Sequence, residues 1–316
     1  MDPRDENDEF DVIDDEEQNE ILEDYNDESA LNDEDSFSAE LSEGYTFKSL
    51  IEFLRFPNPR GNFKFSKNMI KYNKMDSRKK MLNIVEINCD SIDQYEFNSD
   101  HEEIVIGINM VDLRTITKPV KKKEGIKIIK HPGDSKLYIH IISRNSSSSK
   151  TNNFGSISSH DEEDTDYTVE EYSRNEKMPN FTVSAADFVS VCTRMSSIKC
   201  NDIYIRSQHK GAILETSTEG GTVNKTETLG EPYQRQTSSP SGSPPTFENK
   251  SRLVVKSPET SIRVKTATIK TLSKLGSLST GGMLKIFMEP NKPMKIITPI
   301  GNYGFLRTYI FDEDNH

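Results

Sequence analysis

The chain has 316 residues, 40 Lys/Arg against 52 Asp/Glu, and 33% hydrophobic residues, below the ~45–50% apolar content of ordinary globular domains. Residues 1–35 hold eighteen acidic residues and one basic residue, Arg4, for a net charge of −17, and the other 281 residues carry a net +5. No apolar run nears the ~20 residues of a membrane span, the acidic N-terminus is neither a secretory signal nor an Arg-rich transit peptide, and Cys89, Cys192 and Cys200 form no CxxC pair for a zinc site or disulfide scaffold.

Like-charge repulsion and few apolar groups predict a disordered acidic tail over 1–35. Its role is either solubility or contact with a basic surface. The remaining body is long enough for two domains.

Order is expected from Phe37. FSAEL reads as a strand and Gly44 as a turn. In YTFKSLIEFLRF, Phe47, Leu50, Ile51 and Leu54 fall at i, i+3, i+4, i+7, one face of a helix. Pro57 and Pro59 stop it. NFKFS, MIKYNKMD, KMLNIVEIN, QYEF and IVIGIN read as strands, with a short helix over Met110–Lys118 ended by Pro119. GIKIIK and KLYIHII are strands. Residues 144–164 read as a Ser-rich flexible loop, followed by an extended DYTVEEYS and a linker EKMPN.

The pattern then repeats. FTV is a strand, and SAAD starts a helix with Ser184 capping and Asp187 three residues on. Phe188, Val191, Cys192 and Met195 form its apolar stripe. DIYIRS and GAILETS are strands, and 218–250 reads as a second low-complexity insertion. RLVVKS and SIRVKT are strands, TIKTLSKLGSL a helix, and MLKIFME, MKIITPI and FLRTYIF three closing strands. Strand–helix–strands–helix–strands thus occurs twice, an internal duplication of domain size.

Each helix pairs an apolar stripe with cations: Lys48 and Arg55; Arg114 and Lys118; Arg194, with Lys199 just beyond; Lys270 and Lys274. Cations at helical spacing either track a phosphate backbone or form a solvated face. Catalysis finds no support. The six histidines are scattered, and no P-loop, GxGxxG or GxSxG motif occurs. Asp76, after a strand, reads as a turn aspartate. No metal ligands and no cofactor are expected.

Five segments together resemble the proliferating cell nuclear antigen family of DNA sliding clamps: FSAELSEGYTFKSLIEFLR, KMDSRKKMLNIVEIN, IGINMVDLRTITK, FTVSAADFVSVCTRMSSI and GNYGFLRTYIFDED. The resemblance implies an α+β fold of two duplicated clamp domains, each of two βαβββ units with helices on one face of antiparallel sheets. The implied boundaries are 36–163, a connector at 164–180, and 181–316. It implies a non-enzymatic homotrimeric ring around duplex DNA that tethers a DNA polymerase and other replication and repair enzymes, and that a clamp loader opens. The runner-up is a checkpoint-type subunit of a heterotrimer, or a viral accessory factor acting as monomer or dimer. The inner cations would be the eight just named. A partner peptide would dock against Met75, Met178, Pro179, Pro293, Tyr309 and Phe311.

This sequence departs from the family at several points. Ser49 and Thr193 stand at basic positions, Phe311–Asp312 replaces an Ala-Pro pair, and the tail and both insertions are additions. These additions point to a viral or protist source. The implied location is the nucleus, or a cytoplasmic replication site for a viral protein.

Overall fold

The computed structural model describes residues 35–143, 150–159, 178–198, 200–208, 211–218, 224–230, 260–279 and 281–314. The tail up to residue 34, DYTVEEYS, RLVVKS and Lys199 lie outside the described residues. The first half runs β1 (Ser36–Leu41), α1 (Gly44–Leu54), β2 (Arg60–Ser66), β3 (Met69–Met75), β4 (Met81–Asn88), β5 (Gln94–Asn98), β6 (Glu103–Asn109), α2 (Met110–Thr117), β7 (Glu124–Lys130), β8 (Lys136–Ser143) and β9 (Lys150–Ser158). The second runs β10 (Phe181–Ser184), α3 (Ala185–Ser196), β11 (Asp202–Gln208), β12 (Gly211–Ser217), β13 (Asn224–Gly230), β14 (Ser261–Lys265), α4 (Thr266–Leu272), β15 (Met283–Phe287), β16 (Met294–Ile300) and β17 (Gly304–Ile310). Each half is therefore two βαβββ units, with β5 added between those of the first.

Three expectations need correction. Strand β9 lies inside the stretch read as a flexible loop, and β13 inside the second low-complexity insertion. Both are edge strands with one neighbour each. An edge strand tolerates polar residues on its open side, so composition hides it. The fourth helix is also shorter than expected: its second half, Ser273–Ser277, is a 3₁₀ turn.

Helices α2 and α3 start where the sequence supplies caps, whereas α4 has no side-chain cap. Ser184 Oγ accepts from Asp187 N at 3.1 Å, and Asn109 Oδ1 accepts from Val111 N at 2.9 Å. Helix α1 has no side-chain cap. It begins at Gly44 because the chain there lies against β7. A Cβ on Gly44 would sit 2.8 Å from the Glu124 carbonyl oxygen. Both predicted stripes are buried: Phe47, Leu50, Ile51 and Leu54 in α1, and Phe188, Val191, Cys192 and Met195 in α3.

Three antiparallel sheets result, ordered β5-β1-β7-β8-β9, β10-β15-β16-β17-β4-β3-β2-β6 and β13-β12-β11-β14. The eight-stranded sheet crosses between the halves where β17 pairs with β4. The stacked rings of Phe37 on β1 and Phe65 on β2, 4.0 Å apart, join two of the sheets. One connected core runs through both halves. Helix α1 packs on α2 and on the 3₁₀ turn, and that turn and α4 pack on α3. The helices thus form one layer in the order α2, α1, α4 with its turn, α3.

Gly44→Ala is expected to lower stability by ~1–3 kcal/mol through overpacking against the backbone of β7. Urea unfolding of the variant beside the parent protein measures this.

Candidate nucleic-acid interface

Seven of the eight candidate cations lie among the described residues, and all seven sit on the helix layer or at its helix ends. Their states differ. Lys48 reaches across from α1 to the end of α2, where its Nζ donates to the carbonyls of Lys118, at 2.7 Å, and Val120, at 3.1 Å. A cation there complements the carbonyl end of the helix dipole. Arg114 faces back toward α1, with its Nε 3.9 Å from Glu52. Lys118 is exposed at the C-terminal cap of α2.

Arg194 is committed elsewhere. Its guanidinium makes a two-pronged contact with Glu227 of β13, at 2.9 and 2.8 Å, and also bonds Ser190. The Arg194 hydrogen bonds hold the Glu227 carboxyl below its ordinary range. Lys225 adds a second cation to this carboxylate at 3.5 Å. Since β13 falls in a segment read as an insertion, this partner was invisible from sequence.

Lys270 and Lys274 are exposed one turn apart, and neither has a carboxylate within ion-pair distance among the described residues. Lys274 Nζ lies 5.3 Å from the centre of the Phe56 ring, and the Arg55 guanidinium 4.4 Å from it. Phe56 itself is 49% exposed. It lines a groove of about 540 Å³ between the two halves, together with Asp76, Arg78, Met81, Lys270 and Lys274. Asp76 is a turn residue as expected, accepting from the backbone N–H groups of Lys80 and Met81 at 2.6 and 2.8 Å.

Helical spacing passed over two features. Lys121, Lys122 and Lys123 form an exposed run just after α2. Three consecutive lysines are a visible signal, but they follow the helix rather than share its face. Phe56 was read only as the last residue of a helical segment. An aromatic beside Arg55 and Pro57 was its signal.

Two of the peptide candidates, Met75 and Tyr309, lie on the other side. Across the eight-stranded sheet, Met75 pairs with Leu82, Leu82 with Tyr309, Tyr309 with Lys295, and Lys295 with Phe287. Directly paired residues share a face, so these five form one row. The neighbouring residues Tyr72, Val85, Ile296 and Ile286 point the other way, into the core. Pro293 precedes β16, and Phe311 follows β17 with its N–H donating to the Lys80 carbonyl at 3.0 Å. Tyr309 is buried, so in a pocket here it is floor, whereas Met178 is exposed. Pro179, next to Met178, is partly exposed.

Among the described residues no group of three or more His, Cys, Asp or Glu side chains stands together as metal ligands. No helix among them is long and apolar enough to cross a membrane.

The family model described as proliferating cell nuclear antigen, N-terminal domain, matches residues 36–183. The structure matches the crystal structure of Proliferating Cellular Nuclear Antigen from Entamoeba histolytica with a TM-score of 0.66 and 17% sequence identity, covering 88% of this chain and 98% of that chain. No curated protein matches the chain by sequence. The chain therefore has the clamp fold: two duplicated α+β halves with helices on one face of antiparallel sheets.

Lys48 and Lys270 separate structural from solvated cations. Lys48→Met leaves two carbonyls without their donor and is expected to cost about 1 kcal/mol, whereas Lys270→Met is expected to leave stability unchanged. Denaturant midpoints of the two variants measure the difference.

Proposed function

We propose that the chain is a DNA sliding clamp: a ring that encircles duplex DNA without reading its sequence and tethers a polymerase and other replication or repair enzymes. The observation that carries this reading is the single helix layer. It collects Lys118, Lys270 and Lys274, which have no carboxylate partner among the described residues, backed by Lys48, Arg55 and Arg114, on the side opposite the Met75–Tyr309 row. Lys199 would extend this set. Cations on rigid helices neutralise phosphates, and such contacts are sequence-blind. The scaffold reading needs no chemistry from the chain, and the clamp loader, polymerase and clamp-binding peptides are the partners it implies. The place of action is then a replication site, in the nucleus for a cellular protein. The comparisons lend no support to a viral source.

Ring closure has a topological basis. Strand β9 is the open edge of the five-stranded sheet, and β13 that of the four-stranded sheet. The opposite edges are less available. Strand β5 has only five residues, and β14 is flanked by the C-terminal residues, with Glu313 N donating to the Arg263 carbonyl at 2.9 Å. Helix α2 packs on β9 and α3 on β13. Pairing β9 of one copy with β13 of the next would continue sheet and helix layer together. A head-to-tail contact of this kind generates rings when its rotation closes. The proposed domains are 36–163 and 181–316, joined by a connector at 164–180.

Two measurements test the reading. Three copies of the 36.0 kDa chain make a ring of ~108 kDa by light scattering. A mass of one or two copies favours instead a heterotrimer subunit or an accessory factor acting as monomer or dimer. Replacing Lys118, Lys270 and Lys274 together with Ala is expected to reduce the salt slope of duplex binding by ~0.9 per lost phosphate contact. An unchanged slope removes these residues from the interface.

A further inference from the structure

The groove between the halves has an unusual composition. Phe56 projects from the end of α1 with Arg55 and Lys274 against its ring. Arg78 and Lys270 complete the rim, and Pro57, Met81 and Ala267 add apolar wall. Asp76 is the one carboxylate among the lining residues. It lies 3.6 Å from Arg78 Nε and offsets only that cation. With Arg55 counted, the net charge around the groove is +3. A site of this kind fits an acidic peptide with apolar side chains spaced among its carboxylates. Duplex DNA supplies the charge but no side chain for the apolar wall.

The chain carries such a peptide itself. Residues 1–34 hold seventeen acidic residues, interleaved with Phe10, Ile13, Ile21, Leu22 and Tyr25. Their point of attachment is fixed. The Asp35 carbonyl accepts from Lys130 Nζ at 2.9 Å, and Lys130 is buried beside it. A chain of 34 residues reaches at most ~110–120 Å, and a flexible one of that length would span about 29–35 Å root-mean-square. A folded body of this size has a radius of gyration of ~19 Å. The groove is therefore within reach, and the tether supplies an effective concentration in the ~mM range. A contact too weak to matter between separate molecules is then populated within one.

We propose that the acidic segment 1–34 docks in the Phe56 groove of its own chain and shields Lys270 and Lys274 until duplex DNA displaces it. This rests on the clamp reading for what it regulates, but not for whether the contact forms. Its attraction acts between exposed charges over a Debye length of ~8 Å at physiological salt, so it weakens as salt rises.

The chain has no tryptophan, so Phe56→Trp installs a single fluorophore in the groove. In the full chain, the emission maximum is expected at shorter wavelength than in a second full chain whose Asp and Glu over residues 2–34 are replaced by Asn and Gln. The two spectra should converge in high salt. Adding Lys274→Glu to the first chain should also move its emission to longer wavelength. Identical spectra for the acidic and amide tails at low salt overturn the docking. Duplex binding is read separately. The amide-tail protein, with Phe56 intact, is expected to bind duplex about two- to five-fold more tightly at low salt, in line with partial occupancy at an effective concentration near the intrinsic dissociation constant. A tail-dependent spectrum with no duplex binding by either tail form keeps the docking and removes the clamp reading. A tail-dependent spectrum with equal duplex binding by both forms overturns the shielding.

Discussion

The antiparallel pairing of β4 with β17 joins the two halves, and the rest of the arrangement depends on its register. It runs from Met81 opposite Ile310 to Ile87 opposite Gly304. At Gly304 the strands approach so closely that a Cβ would lie 1.9 Å from the Glu86 carbonyl oxygen. In the middle, Thr308 Oγ1 donates to Asn83 Oδ1 at 2.9 Å, and both side chains are fully buried. On the other face Arg307 donates to the Glu86 carboxylate. A slip of β17 by one residue would exchange its faces, turning Arg307 toward the core and leaving the buried Asn83 without Thr308 as its partner. The register is thereby fixed. The helix layer is then continuous from α2 to α3, and the Met75–Tyr309 row stays on the far side of the sheet.

The regular part of this fold was legible because each element carries its own local signal. The stripes of α1 and α3 bury as their spacing demands, and Ser184 and Asn109 cap as their residue types allow. Strands such as β1, β8 and β11 alternate buried and more exposed residues, because one pleat face meets the core. Strands β9 and β13 lack that signal for a physical reason. In β13 only Leu229 is buried, and alternate residues along the strand are exposed. Phe154 on β9 is exposed, and its neighbour Gly155 is kept small by Ile116 of α2, 2.6 Å from where its Cβ would be. Such strands are recognised by what they pair with, not by composition.

The same distinction governs the charges. Spacing on a helix identifies which cations share a face but not which already have partners. Lys48 finds its acceptors seventy residues away at Lys118, and Arg194 its carboxylate thirty-three residues away at Glu227. Neither contact is visible in a window of one helix. Lys118, Lys270 and Lys274, which have no carboxylate partner among the described residues, are those whose helix ends meet no acidic strand there. Phe56 belongs with them for a similar reason. It lies past the last turn of α1, where the chain leaves the core, and gains significance only because Lys274 arrives from the other half.

A layer with few unpaired cations suits binding that must not become fixed. Each phosphate contact between exposed charges is weak and exchanges readily with counterions, so a surface that had to hold DNA by affinity alone would need many more. The proposed closed ring changes the requirement. Retention would follow from topology, and the cations would need only to keep the duplex centred while it moves. The docking proposed for the acidic segment obeys the same logic. Attachment at Asp35 would supply the persistence that individual contacts lack, and a contact of that strength would yield when a denser array of phosphates enters the same space. Both proposed interactions depend on a connection made elsewhere in the chain, which would allow their electrostatics to stay shallow and reversible.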